Sequence, residues 1–286
     1  MKVKQKIILD IVESAHFSKA FVEWLKTELP TYQSKLNNRG VGVFNAPPTL
    51  LSDQEKVVEV MFALIHLQAF YKGRGIDDSI FYDSLYDLNY RINRYFKNNQ
   101  AYGLTAKDIH WLRFIFDGEI FDLGALRFQM FHFSYAEIER QGFERMELSE
   151  HYKTMFKEGT PIVNIHIASN TNLKEDSVNH ALSLANRFFK SYFPEFNYEY
   201  YVCRSWLLYP GLKQLLPETS NIIRFQNRFK IIASHDFPNQ ALNRIYGSDD
   251  LSVIATLEKT STLANEAYRH LDALGVSAGI IHKNEI

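Results

Sequence analysis

The chain carries a single cysteine, Cys203, in 286 residues. Neither an intramolecular disulfide nor a cysteine-rich zinc site can be built from it. Nowhere does it approach the roughly 20 uninterrupted apolar residues that a membrane span requires. The apolar run after the basic residues Lys2, Lys4 and Lys6 is broken by Asp10 and Glu13, too early for a secretory signal. A cytoplasmic protein with no membrane partner is the expectation. Charge of one sign is also lacking: 32 Lys and Arg stand against 33 Asp and Glu, for a net charge of −1 and no one-sign block. The basic stripe that phosphate backbones select is therefore missing, and no nucleic-acid partner is expected. The ten histidines show neither HExxH nor His-x-His spacing, so no metal site is expected. There is no Walker loop, no GxGxxG after a strand, and no Gly-x-Ser-x-Gly elbow around Ser205 that would support a hydrolytic triad.

What is present is an ordinary globular balance, 46% hydrophobic and 23% charged, in a length that suits one large domain or two smaller ones. Apolar residues from Ile8 to Leu25 recur at three- and four-residue steps, which predicts helix ending near Pro30. A loop follows through residues 37–40 and 47–48. Ser52 and Glu55 have capping-box spacing ahead of an apolar helical face from Val57 to Leu67. Further helices are predicted over 77–98 and 105–116. The aromatics of the former (Phe81, Tyr82, Tyr86, Tyr90, Tyr95, Phe96) fall at core spacing.

Near residue 117 the period changes. Residues 122–133 alternate as a half-buried strand does, with Arg127 and Gln129 on one face. Residues 136–148 are expected as its antiparallel neighbour. Strands at 162–167, 198–203, 229–235 and 276–282 then alternate with helices at 174–192, 220–227, 240–246 and 261–274. This gives a mixed α/β layout with a boundary between 117 and 122, hence domains 1–118 (helical) and 119–286 (α+β, mixed sheet).

Residues 200–230 are the most informative stretch. Cys203, Ser205, Trp206, Leu207 and Leu208 are followed by Leu216-Pro217 and by Ser220, Asn221, Ile222, Arg224 and Phe225. Upstream lie Leu123, Gly124, Leu126 and Phe128, then Val163-Asn164-Ile165-His166-Ile167. In this order these motifs resemble the acyltransferases that join a helical N-terminal domain to a GNAT-like C-terminal domain. The resemblance implies transfer of an acyl group from acyl-CoA or acetyl-CoA to an amine on a small molecule or peptide. It also implies a CoA pyrophosphate at the start of the helix near residue 174, where unpaired N–H groups and the helix dipole favour an anion. The segment there, with Ala168, Ser169, Asn170, Thr171 and Asn172, holds no glycine, whereas ordinary GNAT enzymes carry a Gln/Arg-x-x-Gly-x-Gly/Ala loop. Glu175 and Asp176 occupy the first turn of the helix.

Each candidate residue has a functional and a bland reading. His166 is a general base for the amine, or a strand histidine satisfied by a neighbour. Cys203 is an acyl-accepting nucleophile with His166 as its base, or a small buried hydrophobe. Ser205 orients substrate or caps a turn. Arg224 pairs with a CoA phosphate or substrate carboxylate, or forms a salt bridge; Asn221 beside it contacts substrate. Arg127 and Gln129 line the acceptor groove, or form a solvated face. Tyr200, Tyr201 and Tyr209 are possible proton donors to the departing thiolate. Two rival functions stand beside acyl transfer: a catalytically degenerate GNAT-like ligand-binding or interaction module, and a cysteine-dependent thioesterase.

Overall fold

The computed structural model describes residues 2–36, 42–45, 50–134, 147–168 and 171–286. The chain divides into two compact units, Met1–Asp122 and Leu123–Ile286.

The first unit is helical: α1 (Lys2–Ser14), α2 (Lys19–Leu36), α3 (Asp53–Gly73), α4 (Asp78–Ser84), α5 (Tyr86–Asn99) and α6 (Ala106–Phe116). The single helix expected to end near Pro30 is two. His16 turns left-handed at φ +56°, Ser18 caps the second helix by accepting from the Phe21 N–H, and α2 continues past Pro30 to Leu36. The helix expected over 77–98 is likewise broken at Leu85. The capping box at Ser52 and Glu55 forms as its spacing predicts, with a second at Thr105 and Asp108.

The aromatic stripe was read too uniformly. Phe81 is fully buried, but Tyr86, Tyr90 and Phe96 are exposed, because α5 buries Asp87, Leu88 and Ile92 instead. Asp87 and Asp108 are inside because arginines follow them in. Arg91 reaches both carboxylates, at 2.6 and 2.8 Å, and Arg94 reaches Asp108 at 2.8 Å. Burial alone would raise the Asp108 pKa, but the hydrogen bonds from Thr105 and Arg91 outweigh it and hold the carboxyl below its usual range. Replacing Asp108 by Ala removes the carboxylate half of the capping box and leaves Arg91 with Asp87 alone. The expected loss is about 3 kcal/mol, read as a lower urea midpoint at unchanged slope.

The second unit contains most of a six-stranded sheet in the order β1-β2-β3-β4-β6-β5, whose first strand is β1 (Ile120–Leu123). Its other strands are β2 (Leu126–His132), β3 (Pro161–His166), β4 (Tyr200–Ser205), β5 (Lys230–His235) and β6 (Val276–His282). Its helices are α7 (Glu150–Met155), α8 (Glu175–Tyr192), α9 (Leu212–Leu215), α10 (Asn221–Gln226), α11 (Asn239–Tyr246), α12 (Leu251–Thr256) and α13 (Thr262–Arg269). The single strand expected over 122–133 is two, divided by a two-residue turn in which Gly124 takes φ +72°, a conformation that explains glycine at that motif position. The antiparallel neighbour expected at 136–148 lies almost wholly outside the described residues. In the described structure β3 is an antiparallel neighbour of β2. The helix expected over 261–274 ends at Arg269.

Side chains alternate across a strand, so the registers sort this sheet into two faces. One face presents Ile162, Val202 and Ile280 to a core with Phe156, Leu148 and Ile232. The other presents Phe128 and Tyr201, whose ring contacts continue through Tyr198 to Phe189 of α8. The α8 stripe Val178, Ala181, Leu182, Ala185, Phe188 and Phe189 repeats at helical spacing and is buried against that side.

Candidate functional site

The centre of the sheet opens. β3 and β4 run parallel, but they pair only at Val163–Tyr201 and Asn164–Val202. Beyond those residues each strand keeps its outer neighbour: β3 stays on β2 through Arg127–His166, and β4 stays on β6 through Cys203–Gly279, Arg204–Ala278 and Ser205–Ser277. Two strands that remain fully hydrogen-bonded outward while parting from each other leave a wedge at their C-terminal ends. Open α/β sheets bind ligands at such a place. Parallel strands joined by a long crossover have no tight turn to fix their full register, which is why this pair can separate.

The register also fixes which side chains share a face. Arg127, Gln129, Asn164 and His166 project from one side, with Arg204 of β4 in phase with them. Cys203 and Ser205 project from the other. The expected Cys203–His166 nucleophile–base pair is therefore not formed, since the two residues are on opposite sides of the sheet. Cys203 is 1% exposed and burial pushes its thiol up to about 12, so no thiolate exists at neutral pH. Cys203→Ala is expected to leave any activity of this site within about threefold of the wild type, as befits a small buried group on the other side of the sheet from His166. A loss beyond a hundredfold in a folded variant, read by steady-state assay, would restore the covalent route. Ser205 is buried and its hydroxyl accepts from the Leu207 N–H at 3.2 Å, capping the turn that follows β4. Tyr200 and Tyr201 sit at the closed, N-terminal start of β4, and the Tyr201 hydroxyl is 2.7 Å from that of Tyr198.

His166 is different in kind. Its Nε2 lies 2.8 Å from Gln129 Oε1. Burial, and then the positive charge of Arg127, lower its pKa from 6.5 to about 4, so the imidazole is neutral at physiological pH. Arg127 and Gln129 are 8% and 4% exposed, which excludes the solvated-face reading for both. The unfolded chain protonates this histidine near pH 6.5 while the folded chain resists until about pH 4. Stability from His166 is thus fully present above pH 6.5 and is lost as pH falls through that window. Urea melts at pH 7 and pH 5 are expected to show a drop that His166→Gln diminishes.

The Ala168 carbonyl accepts from the Thr171 N–H at 3.3 Å and its hydroxyl at 2.7 Å, and Asn172 Oδ1 accepts from the Lys174 N–H at 3.0 Å. Ser169 and Asn170 lie outside the described residues. At the start of α8, Glu175 meets two arginines from the chain around α10: Arg224 at 3.8 Å and Arg228 at 3.5 Å. The charge of Glu175 is thereby partly offset. Asn221 is exposed at the first position of α10, after the Ser220 cap. Arg228, two residues beyond the end of α10, is not marked by any sequence motif.

Other features lie elsewhere. A cavity of about 570 Å³ bordered by Arg187, Phe193, Phe196 and Lys283 is at the opposite end of β4, and none of the candidate residues lines it. Among the described residues no group of three or more His, Cys, Asp or Glu is placed to hold a metal ion, and no helix is long and apolar enough to cross a membrane.

With this geometry in hand, comparison with known proteins is specific. The model of the GNAT-like C-terminal domain matches residues 120–280, and that of the N-acyltransferase N-terminal domain matches residues 35–118. Among solved structures, an acyltransferase in complex with decanoyl-CoA and teicoplanin is 17% identical with a TM-score of 0.68, over 96% of this chain and 86% of that one. A mutant acyltransferase in complex with octanoyl-CoA gives the same values. A third, an acyltransferase in complex with decanoyl-CoA, is 19% identical with a TM-score of 0.66, over 95% and 86% of the two chains. At such identities the likeness is one of fold. None of the curated proteins matches the chain.

Proposed function

This chain belongs to the family of the GNAT-like C-terminal domain, and from that premise we propose that it is an N-acyltransferase, moving an acyl group from acyl-CoA to an amine. The parting of β3 from β4 after Asn164 and Val202 is the observation that carries the proposal. A pantetheine arm is slender and bears amides, so it can lie along the freed edge of β4 as an added strand does. The decanoyl-CoA and octanoyl-CoA bound by similar folds support a wedge that accepts a long acyl thioester. Teicoplanin in one of them supports an acceptor that is a small molecule or peptide-like compound carrying the amine.

The chemistry follows from the residues. The amine nitrogen attacks the thioester carbonyl carbon, and the carbonyl oxygen takes the negative charge. Backbone N–H groups at the end of β3 and in the segment that follows it are assigned as the donors to that oxygen. His166, neutral at physiological pH, receives the proton that the attacking nitrogen sheds. Collapse of the intermediate breaks the carbon–sulfur bond, and the sulfur leaves as thiolate to be protonated, with Tyr209 or water as the donor. No covalent enzyme intermediate is required, in keeping with the buried, protonated Cys203.

The CoA phosphates are assigned to the start of α8 with Arg224 and Arg228, and Ala168, Ser169, Asn170, Thr171 and Asn172 are assigned to the same cofactor. Arg127 and Asn221 flank the acceptor side. We assign this site to residues 119–286, with residues 1–118 as the preceding helical domain, and place the protein in the cytoplasm. The test is release of CoA thiol from acetyl- to decanoyl-CoA in the presence of an amine panel, with the acylated amine identified by mass spectrometry. Amine-dependent release supports transfer. Tight acyl-CoA binding without turnover on any amine would favour the degenerate binding module instead.

A further inference from the structure

We propose that Gln129 is a positioning residue that fixes the tautomer of His166, so that Nε2 carries the hydrogen and Nδ1 is the atom that receives the proton from the amine. The proposal rests on the acyl-transfer reading for its consequence in catalysis, but its geometry stands alone. Gln129 and His166 are on adjacent antiparallel strands. Arg127 is opposite His166 and Gln129 is opposite Asn164, so Gln129 reaches the imidazole along a diagonal on one face of the sheet. The contact is 2.8 Å between Gln129 Oε1 and His166 Nε2. An amide oxygen only accepts, so Nε2 must donate and the ring's lone pair falls on Nδ1. A buried amide at 4% exposure needs partners, and a glutamine here meets that need while setting the direction of the base.

A neutral amide suits this task better than a carboxylate would. A Glu at position 129 would stabilise the imidazolium and leave the ring protonated at higher pH, when it should be ready to accept a proton. Arg127, on β2 and on the same face, is cationic and favours the neutral ring as well. Burial and Arg127 keep His166 unprotonated, and Gln129 points one nitrogen.

The experiment is long-range proton–nitrogen NMR of the imidazoles in the full chain without substrate, with the His166 signals identified by their loss in His166→Gln. The wild type is expected to show the Nε2–H tautomer. Gln129→Met, close in volume, is expected to lose that preference and to lower kcat about tenfold with little change in KM for acyl-CoA. Gln129→Glu is expected to restore the Nε2–H bond while moving the acid limb of the rate profile up by at least about one pH unit. An Nδ1–H tautomer in the wild type overturns the proposal, and this needs no variant to fold. So does an unchanged tautomer in a folded Gln129→Met. If instead His166→Gln turns over normally while the Nε2–H tautomer is present, the positioning geometry stands and the catalytic reading of His166 falls.

Discussion

His166→Ala is expected to lower kcat by about 10²- to 10³-fold while the affinity for acyl-CoA stays within a few-fold of the wild type. The range comes from general base catalysis, which typically contributes 10²–10⁴. The lower part of that range applies here because a base whose pKa has been pushed to about 4 is weakly basic. What the burial achieves is availability: at pH 7 essentially every molecule holds the imidazole in the proton-accepting form. The pH profile of kcat/KM follows from the same reasoning. Its acid limb due to the enzyme lies near pH 4, well below that of an ordinary histidine, and the rise seen at higher pH reports ionisation of the acceptor amine. Stopped turnover under saturating acyl-CoA, with the amine varied from pH 5 to 9, separates the two. A limb near pH 6.5 that vanishes in His166→Ala would mean that the imidazole is solvated in the working enzyme, contrary to its partly buried setting.

The second large effect concerns the phosphate end. Arg224→Ala combined with Arg228→Ala is expected to weaken acyl-CoA binding by about 30- to 100-fold. A hydrogen bond to a charged group contributes about 1.5–3 kcal/mol, and the value is discounted here because Arg224 is half exposed. Glu175 sharpens the expectation. It occupies both arginines in the structure, at 3.8 and 3.5 Å. A pyrophosphate that displaces this carboxylate must also tolerate its charge at the head of α8. Glu175→Gln is therefore expected to bind acyl-CoA a few-fold more tightly, and the gain should shrink as salt is raised. Single and double variants titrated at two salt concentrations check this. Arginine variants that leave affinity unchanged would assign the pair to structure alone.

These two sites differ in how far the sequence reveals them. Local signals were read well: Ser52 and Glu55 announce a capping box, and the alternation at 162–167 and 198–203 announces strands, because both depend on near neighbours in the chain. The mixed-sheet architecture and the family motifs were legible for the same reason, each motif being confined to one strand or one turn. The positions of the wedge's last pairs, Asn164 and Val202, are a property of two strands joined by a long crossover through α8. Nothing in either strand encodes them. The parity error at Cys203 has that origin: whether it shares a face with His166 depends on a register that only tertiary structure sets. The Gln129–His166 bond spans 37 positions and was invisible for the same reason. Arg228, beyond the end of α10, is marked by no motif either. The splitting of helices at His16 and Leu85, and the passage of α2 through Pro30, show local backbone choices overriding an apolar period that ran on regardless.

Everything in the functional account depends on the wedge receiving a thioester, and calorimetric titration of the full chain with decanoyl-CoA tests that most directly. The account predicts one site per chain, a negative heat-capacity change from burial of the acyl tail, and affinity that falls with the Arg224 and Arg228 substitutions. No heat of binding from acetyl-CoA through decanoyl-CoA, in protein shown to be folded, would contradict it.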